Sequence, residues 1–243
     1  MKRRIFCRFS DLRFQKWLGL SVNGLFKKRR YIRSKYLFNY QLSPKLANRD
    51  IWETILKQWG KISGSYCDMT GDIPFWYNER ACLSHLAGAV WKANGCALEE
   101  YSSVKGWGRG RHNGRIDLYF ILNNASNTSY VVEAKKCWHG TISSINKSLE
   151  AAKKDAVVSA KAEDAEQAYA FVFQSPYLMK NIESREKKRL VKEDDEKIIR
   201  EIKPEIFGSF ADTEEEYVGG KNKDEYYYVG RMIGKRIPRD SFT

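Results

Sequence analysis

The sequence predicts an α/β fold in which a central mixed β-sheet is flanked by helices. Two segments rich in β-forming residues, 115–122 and 130–138, are joined by the turn-forming sequence NNASNTS, which is typical of a β-hairpin. A helical pattern at 142–161 follows, and then the apolar segment AYAFVFQ at 168–174, which predicts another strand. The order strand, helix, strand indicates a βαβ crossover, and such a crossover joins two parallel strands.

The hairpin is preceded by two predicted helices and a strand. Helical periodicity after Pro44 predicts a helix over residues 45–59, and Gly60 is expected to end it. A second helix is expected over residues 75–92, followed by a strand at 96–104. The part of the chain before the hairpin is therefore expected to form two helices and one strand.

The last part of the chain is predicted to be one helix and one strand. Residues 182–202 form a highly charged amphipathic pattern with a thin apolar stripe, so we expect a helix with a solvated face. Gly219 and Gly220 predict a turn, and residues 226–233 predict a strand after it.

Positive charge is concentrated at the beginning of the chain. Residues 1–40 hold twelve Lys and Arg and a single acid, Asp11, and so carry +11 of the net charge of +13. Aromatic residues are interleaved with these cations, a combination that suits phosphate attraction and base stacking. We predict a basic N-terminal extension, residues 1–41, ahead of a domain at 42–243. Binding to an anionic membrane surface and packing on the main domain remain alternatives.

Composition makes several other classes of protein improbable. No apolar run approaches the about 20 residues that a membrane-spanning helix needs. The first residues are charged, but Arg8, Asp11 and Arg13 interrupt the place where a signal peptide is apolar. Five Cys without a CxxC pair and three scattered His do not make a structural zinc site. We therefore expect a reduced protein in the cytoplasm.

A loop rich in Gly and Arg precedes the hairpin, with the sequence KGWGRGRHNGR. Its glycines do not form a dinucleotide-binding motif, because a strand follows them where a helix is required. Its cations suit contacts with a nucleic-acid backbone, although an ordinary surface loop is the alternative. The candidate phosphate-binding residues are Lys105, Arg109, Arg111 and Arg115. His112-Asn113 does not indicate an HNH nuclease, since a second suitably spaced His is missing.

The hairpin carries three residues that suit metal-assisted phosphodiester hydrolysis. Mg²⁺ prefers oxygen ligands and is often held by one or two carboxylates. Asp117 on the first strand and Glu133 on the second form such a pair if the hairpin brings them together. Lys135 lies two residues after Glu133, and side chains alternate along a strand, so both project from one face. The ammonium group would then lie beside the metal, where it can orient water and offset developing charge.

Three other matches to the same acid-x-Lys pattern do not make a comparable site. They begin at Glu186, Asp195 and Glu201, all within the predicted charged helix or at its end. A two-residue offset on a helix separates two side chains by about 200°. An ordinary hairpin with a solvated charged face is the alternative at residues 117–135. The apolar pattern around Asp117 and Glu133 argues instead for burial, where a carboxylate needs a partner.

These motifs resemble the core of the PD-(D/E)XK, or restriction-endonuclease-like, nuclease superfamily. Residues 75–174 follow the family order of helix, three strands, helix and strand. Gly114 to Asp117 resembles its G-x-x-D motif and Glu133-Ala134-Lys135 its E-x-K motif, while Glu79 fits the acid of the opening helix by position. The proline that often precedes the first acid is absent here. The resemblance implies a further metal ligand in the main-chain carbonyl of Ala134, and another in Glu79.

The resemblance implies a Mg²⁺-dependent endonuclease, with Mn²⁺ as a possible substitute. The expected partner is nucleic acid, with DNA preferred over RNA, and Lys153 on the following helix is a further candidate for phosphate contact. A homodimer or larger complex is compatible with the resemblance. The alternatives are a catalytically inactive nucleic-acid-binding module on the same scaffold and a membrane-associated protein that uses the basic segment.

Overall fold

The structure is a computed structural model that describes most of the chain after residue 28. The described residues are 29–33, 36–105, 111–123, 127–138, 140–178, 183–212, 217–219 and 224–242. The helices are α1 (Arg49–Thr70), α2 (Glu79–Lys92), α3 (Ile142–Glu163) and α4 (Ser184–Ile202), with short 3-10 turns at Pro74–Trp76 and Arg239–Ser241. The strands are β1 (Arg29–Arg33), β2 (Tyr36–Leu42), β3 (Gly95–Lys105), β4 (His112–Leu122), β5 (Ser129–Cys137), β6 (Gln167–Gln174), β7 (Tyr177–Leu178), β8 (Ile206–Asp212), β9 (Tyr217–Gly219) and β10 (Asp224–Ile237).

These strands form a mixed sheet in the order β1-β2-β8-β10-β6-β5-β4-β3, and the short strands β7 and β9 pair with β10. Strands β5 and β6 run parallel and are connected by α3, whereas the other described pairs are antiparallel. The predicted hairpin and βαβ crossover are therefore confirmed. The α/β class with a central mixed sheet flanked by helices is confirmed as well.

Helices cover the sheet on both faces, which gives three layers. On one face, Trp52 of α1 packs its indole against the rings of Tyr169 and Phe171. On the other face, Ala168 and Ala170 of the same strand pack with the alanine-rich side of α3. Successive side chains of β6 thus point into opposite cores, as expected for a strand buried on both faces. None of the described helices is long and apolar enough to cross a membrane.

Helix α1 is longer than predicted because its glycines do not end it. A Cβ atom on Gly60 would lie 2.9 Å from the ring of Phe38, and one on Gly64 would lie 3.4 Å from the ring of Tyr36. The small residues therefore allow α1 to approach β2 closely. The helix ends at Gly71, which has the left-handed conformation (φ 64°) that terminates many helices.

Strand β2 lies inside the sheet, between β1 and β8, although its residues fall mostly in the predicted basic extension. Its aromatic side chains Tyr36, Phe38 and Tyr40 are buried, and the rings of Tyr36 and Phe210 contact each other. These rings pack in the core and do not offer a surface for bases. Residues 1–28 lie outside the described residues, so a basic N-terminal extension stays a prediction for that part of the chain.

Other elements also differ from the sequence prediction, and the short strands β1, β7 and β9 were not predicted. Helix α2 begins at Glu79 and not near residue 75, because the side chain of Asn78 caps it by accepting a hydrogen bond from the N–H of Ala81 at 3.1 Å. Strand β8 was not predicted. Its Gly208 interrupts the apolar pattern, but a Cβ atom there would lie 3.1 Å from Leu56, so the glycine provides close contact with α1.

A buried ion pair joins α4 to the middle of the sheet. Arg231 of β10 is 1% exposed, and its Nε lies 2.7 Å from a carboxylate oxygen of Asp195. Asn39 of β2 donates to the other oxygen of Asp195, and Gln174 of β6 accepts from Arg231. Because three strands and a helix share this network, it fixes α4 on the sheet.

We expect Asp195→Ala to lower the free energy of unfolding by about 3–5 kcal/mol, since it leaves a buried guanidinium group without its main partner. Asp194→Ala is the matched control, because the Asp194 side chain also contacts Arg231 but is 41% exposed. Its loss should cost less than about 1 kcal/mol. Urea denaturation measures both values, and equal losses for the two variants would contradict the role assigned to Asp195.

Candidate active site

The site begins where strands β4 and β5 part. Their ladder runs from Ile121 and Ser129 to Leu118 and Val132, and the described pairing ends there. Asp117, the next residue of β4, accepts a hydrogen bond from the main-chain N–H of Ala134 at 2.7 Å. The carboxylate of Asp117 thus takes the place of the main-chain acceptor that a paired strand would provide.

An acidic residue of helix α2 satisfies another main-chain N–H of β5, two residues after Ala134. Glu79 accepts a hydrogen bond from the main-chain N–H of Lys136 at 2.8 Å. Its pKa is raised, first by burial and then by the negative charge of Asp117. The helical acid predicted by position therefore lies near Asp117, and it lines the same cleft as Glu133.

Glu133 and Lys135 project from the same face of β5, as predicted, and both contact α3. The ammonium group of Lys135 lies 2.7 Å from a carboxylate oxygen of Asp155. The hydroxyl of Ser159 donates a hydrogen bond to Glu133. Asp155 and Ser159 are four residues apart on a helix, which is a rise of about 6 Å, and Glu133 and Lys135 are two residues apart on a strand, about 6.6 Å. The two pairs therefore have matching separations. Asp155 and Ser159 were not among the predicted site residues.

The carboxylate of Glu133 is buried, with 2% of the residue exposed. Burial and then the nearby charge of Asp117 raise its pKa to about 7, against the opposing effects of Ser159 and Lys105. Lys105, at the end of β3, donates a hydrogen bond to it at 2.9 Å. Lys105 was predicted to contact phosphate, but its ammonium group is directed at Glu133 and the residue is only 9% exposed.

The mouth of the cleft is lined by cations and one acid. Glu100 lies between Arg115 of β4 and Arg80 of α2, with each closest N to O distance 3.3 Å. The side chains of both arginines are more than half exposed. Arg111 is also exposed, whereas Arg109 lies outside the described residues. Arg80 was not predicted from the sequence.

Lys153 is not brought to the cleft. Its ammonium group pairs with Glu150 on the outer surface of α3, at 2.6 Å, whereas Asp155 and Val158 of the same helix line the cleft. Lys153 could therefore contact phosphate only in a part of the substrate that lies outside the cleft.

The second lysine of the E-A-K-K segment has a different environment. The ammonium group of Lys136 donates hydrogen bonds to the carbonyl of Phe75 at 2.7 Å and to the hydroxyl of Ser175 at 2.5 Å. Burial lowers its pKa. Lys136 thus joins the 3-10 turn before α2 to the residue that follows β6.

Six of the predicted site residues line one open cleft of about 630 Å³. The lining residues include Glu79, Asp117, Glu133, Lys135, Lys105 and Arg115. Ala134 contributes main chain to the gap, because the N–H and C=O of one strand residue face the same neighbouring strand. Carboxylate and carbonyl oxygens are the ligands that Mg²⁺ prefers.

The donors fit a divalent cation in chemistry, and Lys105 already provides a positive charge at Glu133. As arranged here, however, no three acidic, His or Cys side chains among the described residues form a metal-binding cluster. Glu133 is held by Lys105 and Ser159, and one oxygen of Asp117 is held by Ala134. Both donors bond to Oε1 of Glu133, so a metal ion at that oxygen would have to displace one of them.

Comparisons of the chain with models of known protein families, with curated proteins and with solved structures gave no match.

The raised pKa of Glu133 predicts a dependence of stability on pH. The folded protein keeps this proton up to about pH 7, whereas the unfolded chain loses it near the ordinary value of 4.5. Folding then takes up a proton between these values, so this contribution to stability decreases as the pH rises. Relative to Glu133→Gln, the wild type should lose about 2–3 kcal/mol of unfolding free energy between pH 5 and pH 8. Urea denaturation with a chelator present measures the difference, and parallel pH profiles would contradict it.

Proposed function

We propose that this chain is a metal-dependent nuclease of the PD-(D/E)XK type, with a restriction-endonuclease-like arrangement of its core. One observation carries the proposal: the fold brings Glu79, Asp117, Glu133 and Lys135 together in one cleft. These residues come from α2, β4 and β5 and span more than 50 positions of the sequence. A solvated hairpin face is not compatible with the burial of Glu133.

In this proposal the acids of the cleft bind Mg²⁺ or Mn²⁺. Glu79, Asp117, Glu133 and the carbonyl of Ala134 are the candidate ligands. The ion supplies Lewis acidity toward the scissile phosphate and lowers the pKa of bound water. Lys135, held by Asp155, orients the attacking water and offsets negative charge that develops on the phosphate.

The proposed substrate is nucleic acid, with DNA preferred over RNA, in the cytoplasm. Arg80 and Arg115 at the mouth of the cleft, with the exposed Arg111, provide positive charge beside the acids. Such charges attract and position a phosphate backbone without reading its sequence. Residues 1–28 add many more cations to the chain, which supports the same class of partner.

We expect the wild type to cleave at least one of labelled single-stranded DNA, duplex DNA, branched DNA and RNA with Mg²⁺ or Mn²⁺, and none with EDTA. Glu133→Gln and Asp117→Asn should each reduce the rate at least about a hundredfold, because each removes a charge that binds the ion. Glu150→Gln, on the outer surface of α3, is the control and should cleave at the wild-type rate. Circular dichroism checks the fold of each variant. Full cleavage by Glu133→Gln would move the active site elsewhere.

A catalytically inactive binding module is the second candidate. It is favoured by the present partners of Glu133, since a carboxylate held by Lys105 and Ser159 is satisfied without a metal. In that case the wild type would bind the same substrates and leave all of them intact with either metal. The intact set of Asp117, Glu133 and Lys135 favours the nuclease.

The contact between Lys135 and Asp155 predicts a change in the pH profile of cleavage. Burial lowers the pKa of Lys135, but its hydrogen bond and charge interaction with Asp155, together with the charges of Asp117 and Glu79, outweigh this effect, so the pKa is raised. Asp155→Asn should therefore lower the pKa of Lys135 and move the alkaline limb of the rate profile to lower pH. Single-turnover rates across pH test this. A uniform loss of rate at every pH would instead indicate that Asp155 has only a structural role.

A further inference from the structure

The ion pair between Lys105 and Glu133 is the only described contact that places a cation directly on the buried acid of the cleft. Lys105 Nζ lies 2.9 Å from Glu133 Oε1. The same oxygen accepts the hydroxyl of Ser159. The position occupied by this ammonium group is thus one where positive charge compensates a buried carboxylate.

Lys105 reaches this position from a ribbon that extends beyond the sheet. Strands β3 and β4 stay paired as far as Lys105 and His112, well past the point where β4 leaves β5. Glu100 has a left-handed conformation (φ 52°), and the ladder between β3 and β4 is interrupted at Glu100 and Asp117 without a shift of register. Pairing resumes at Tyr101 and Ile116 and continues to the end of the ribbon, which places Lys105 within reach of Glu133.

Gly114 provides the path for the stem of Lys105. A Cβ atom on Gly114 would lie 2.8 Å from Cδ of Lys105 and 3.2 Å from its Cγ. Gly114 does not have a positive φ, so its conformation suits other residues and does not itself require glycine. The missing side chain at residue 114 is therefore explained by the space that Lys105 needs.

Oε1 of Glu133 already accepts two hydrogen bonds, one from Lys105 and one from Ser159. A divalent cation at this oxygen would have to displace one of these donors, and it would also repel the ammonium group of Lys105. Lysine is a flexible point charge on a long stem. Lys105 lines the open cleft, so its ammonium group can turn away from Glu133 while β3 stays paired with β4.

We propose that Lys105 is a built-in counter-ion that occupies Glu133 in the metal-free protein and is displaced when a divalent cation binds. This inference rests on the proposed metal-dependent function and states how its site is regulated. Metal binding then competes with the ion pair, so the affinity of the wild-type site is lower than its oxygen ligands alone would give.

The test is Mn²⁺ binding without nucleic acid, measured by the loss of the free Mn²⁺ signal in electron paramagnetic resonance up to millimolar concentrations. Lys105→Met should bind Mn²⁺ at least about tenfold more tightly than the wild type, because removing a close charge pair removes the competitor. Glu133→Gln should bind more weakly than the wild type. Lys61→Met, an exposed lysine of α1, is the control for loss of charge and should bind like the wild type.

A second variant keeps the charge and changes only its position. Gly114→Ala places a methyl group against the stem of Lys105 and should also increase Mn²⁺ affinity, whereas Gly88→Ala, whose Cβ would make an ordinary 3.5 Å contact, should not. This variant tests the inference if Lys105→Met fails to fold without metal.

The outcomes separate this inference from the proposed function. If Mn²⁺ binding depends on Glu133 but neither Lys105→Met nor Gly114→Ala strengthens it, the counter-ion role is wrong and the nuclease proposal stands. If no protein of the series binds Mn²⁺ through Glu133, both are wrong.

Discussion

The candidate site depends on the parting of β4 from β5 after Leu118 and Val132. Main-chain N–H groups that lose their partner strand must be satisfied in another way, because an unpaired buried donor is costly. Here Asp117 accepts from Ala134, and Glu79 accepts from the N–H of Lys136. Two acids are thereby held at the gap by the backbone of β5 and need no ligand to place them. The same parting that creates unsatisfied amides also opens the cleft, so the cleft and its acids have one structural cause.

The acids held in this way repel one another, and the cleft needs positive charge to balance them. After burial, the charge of Asp117 is the next cause of the raised pKa of both Glu133 and Glu79. Lys105 and Lys135 supply the present compensation from two directions, one from the ribbon and one from β5 itself. A group of carboxylates maintained against desolvation and mutual repulsion is typical of functional sites more than of structural ones. The fold places these charges together at a cost in stability, and a divalent cation would relieve that cost.

The parts of the fold that the sequence predicted correctly are those with strong local patterns. The hairpin combines β-forming residues with a turn sequence, and the pattern then changes from the helical periodicity of α3 to the short apolar segment of β6. These signals were sufficient to place Asp117 and Glu133 on neighbouring strands from the sequence. Gly60 misled the prediction, because this glycine permits close packing of α1 on β2 and does not end the helix. Asp155 and Ser159 were missed because the rotation of α3 about its axis is set by tertiary packing. The available signal was that Asp155 and Ser159 are four residues apart on the helix that follows β5, which matches the separation of Glu133 and Lys135 on that strand.

Two buried ion pairs among the described residues differ in a way that bears on function. Arg231 and Asp195 lie in the middle of the structure, with partners from three strands, and the rigid fork of the guanidinium group is fully engaged. Lys105 and Glu133 lie at the edge of an open cleft, and the cation is a flexible chain that passes over a glycine. Buried ion pairs often add little net stability, so their retention calls for another reason. For Arg231 that reason is the attachment of α4 to the sheet. For Lys105 no element needs to be attached, since β3 is already paired with β4 along its length. The pair at Glu133 is therefore better explained by the charge of the site than by the stability of the fold.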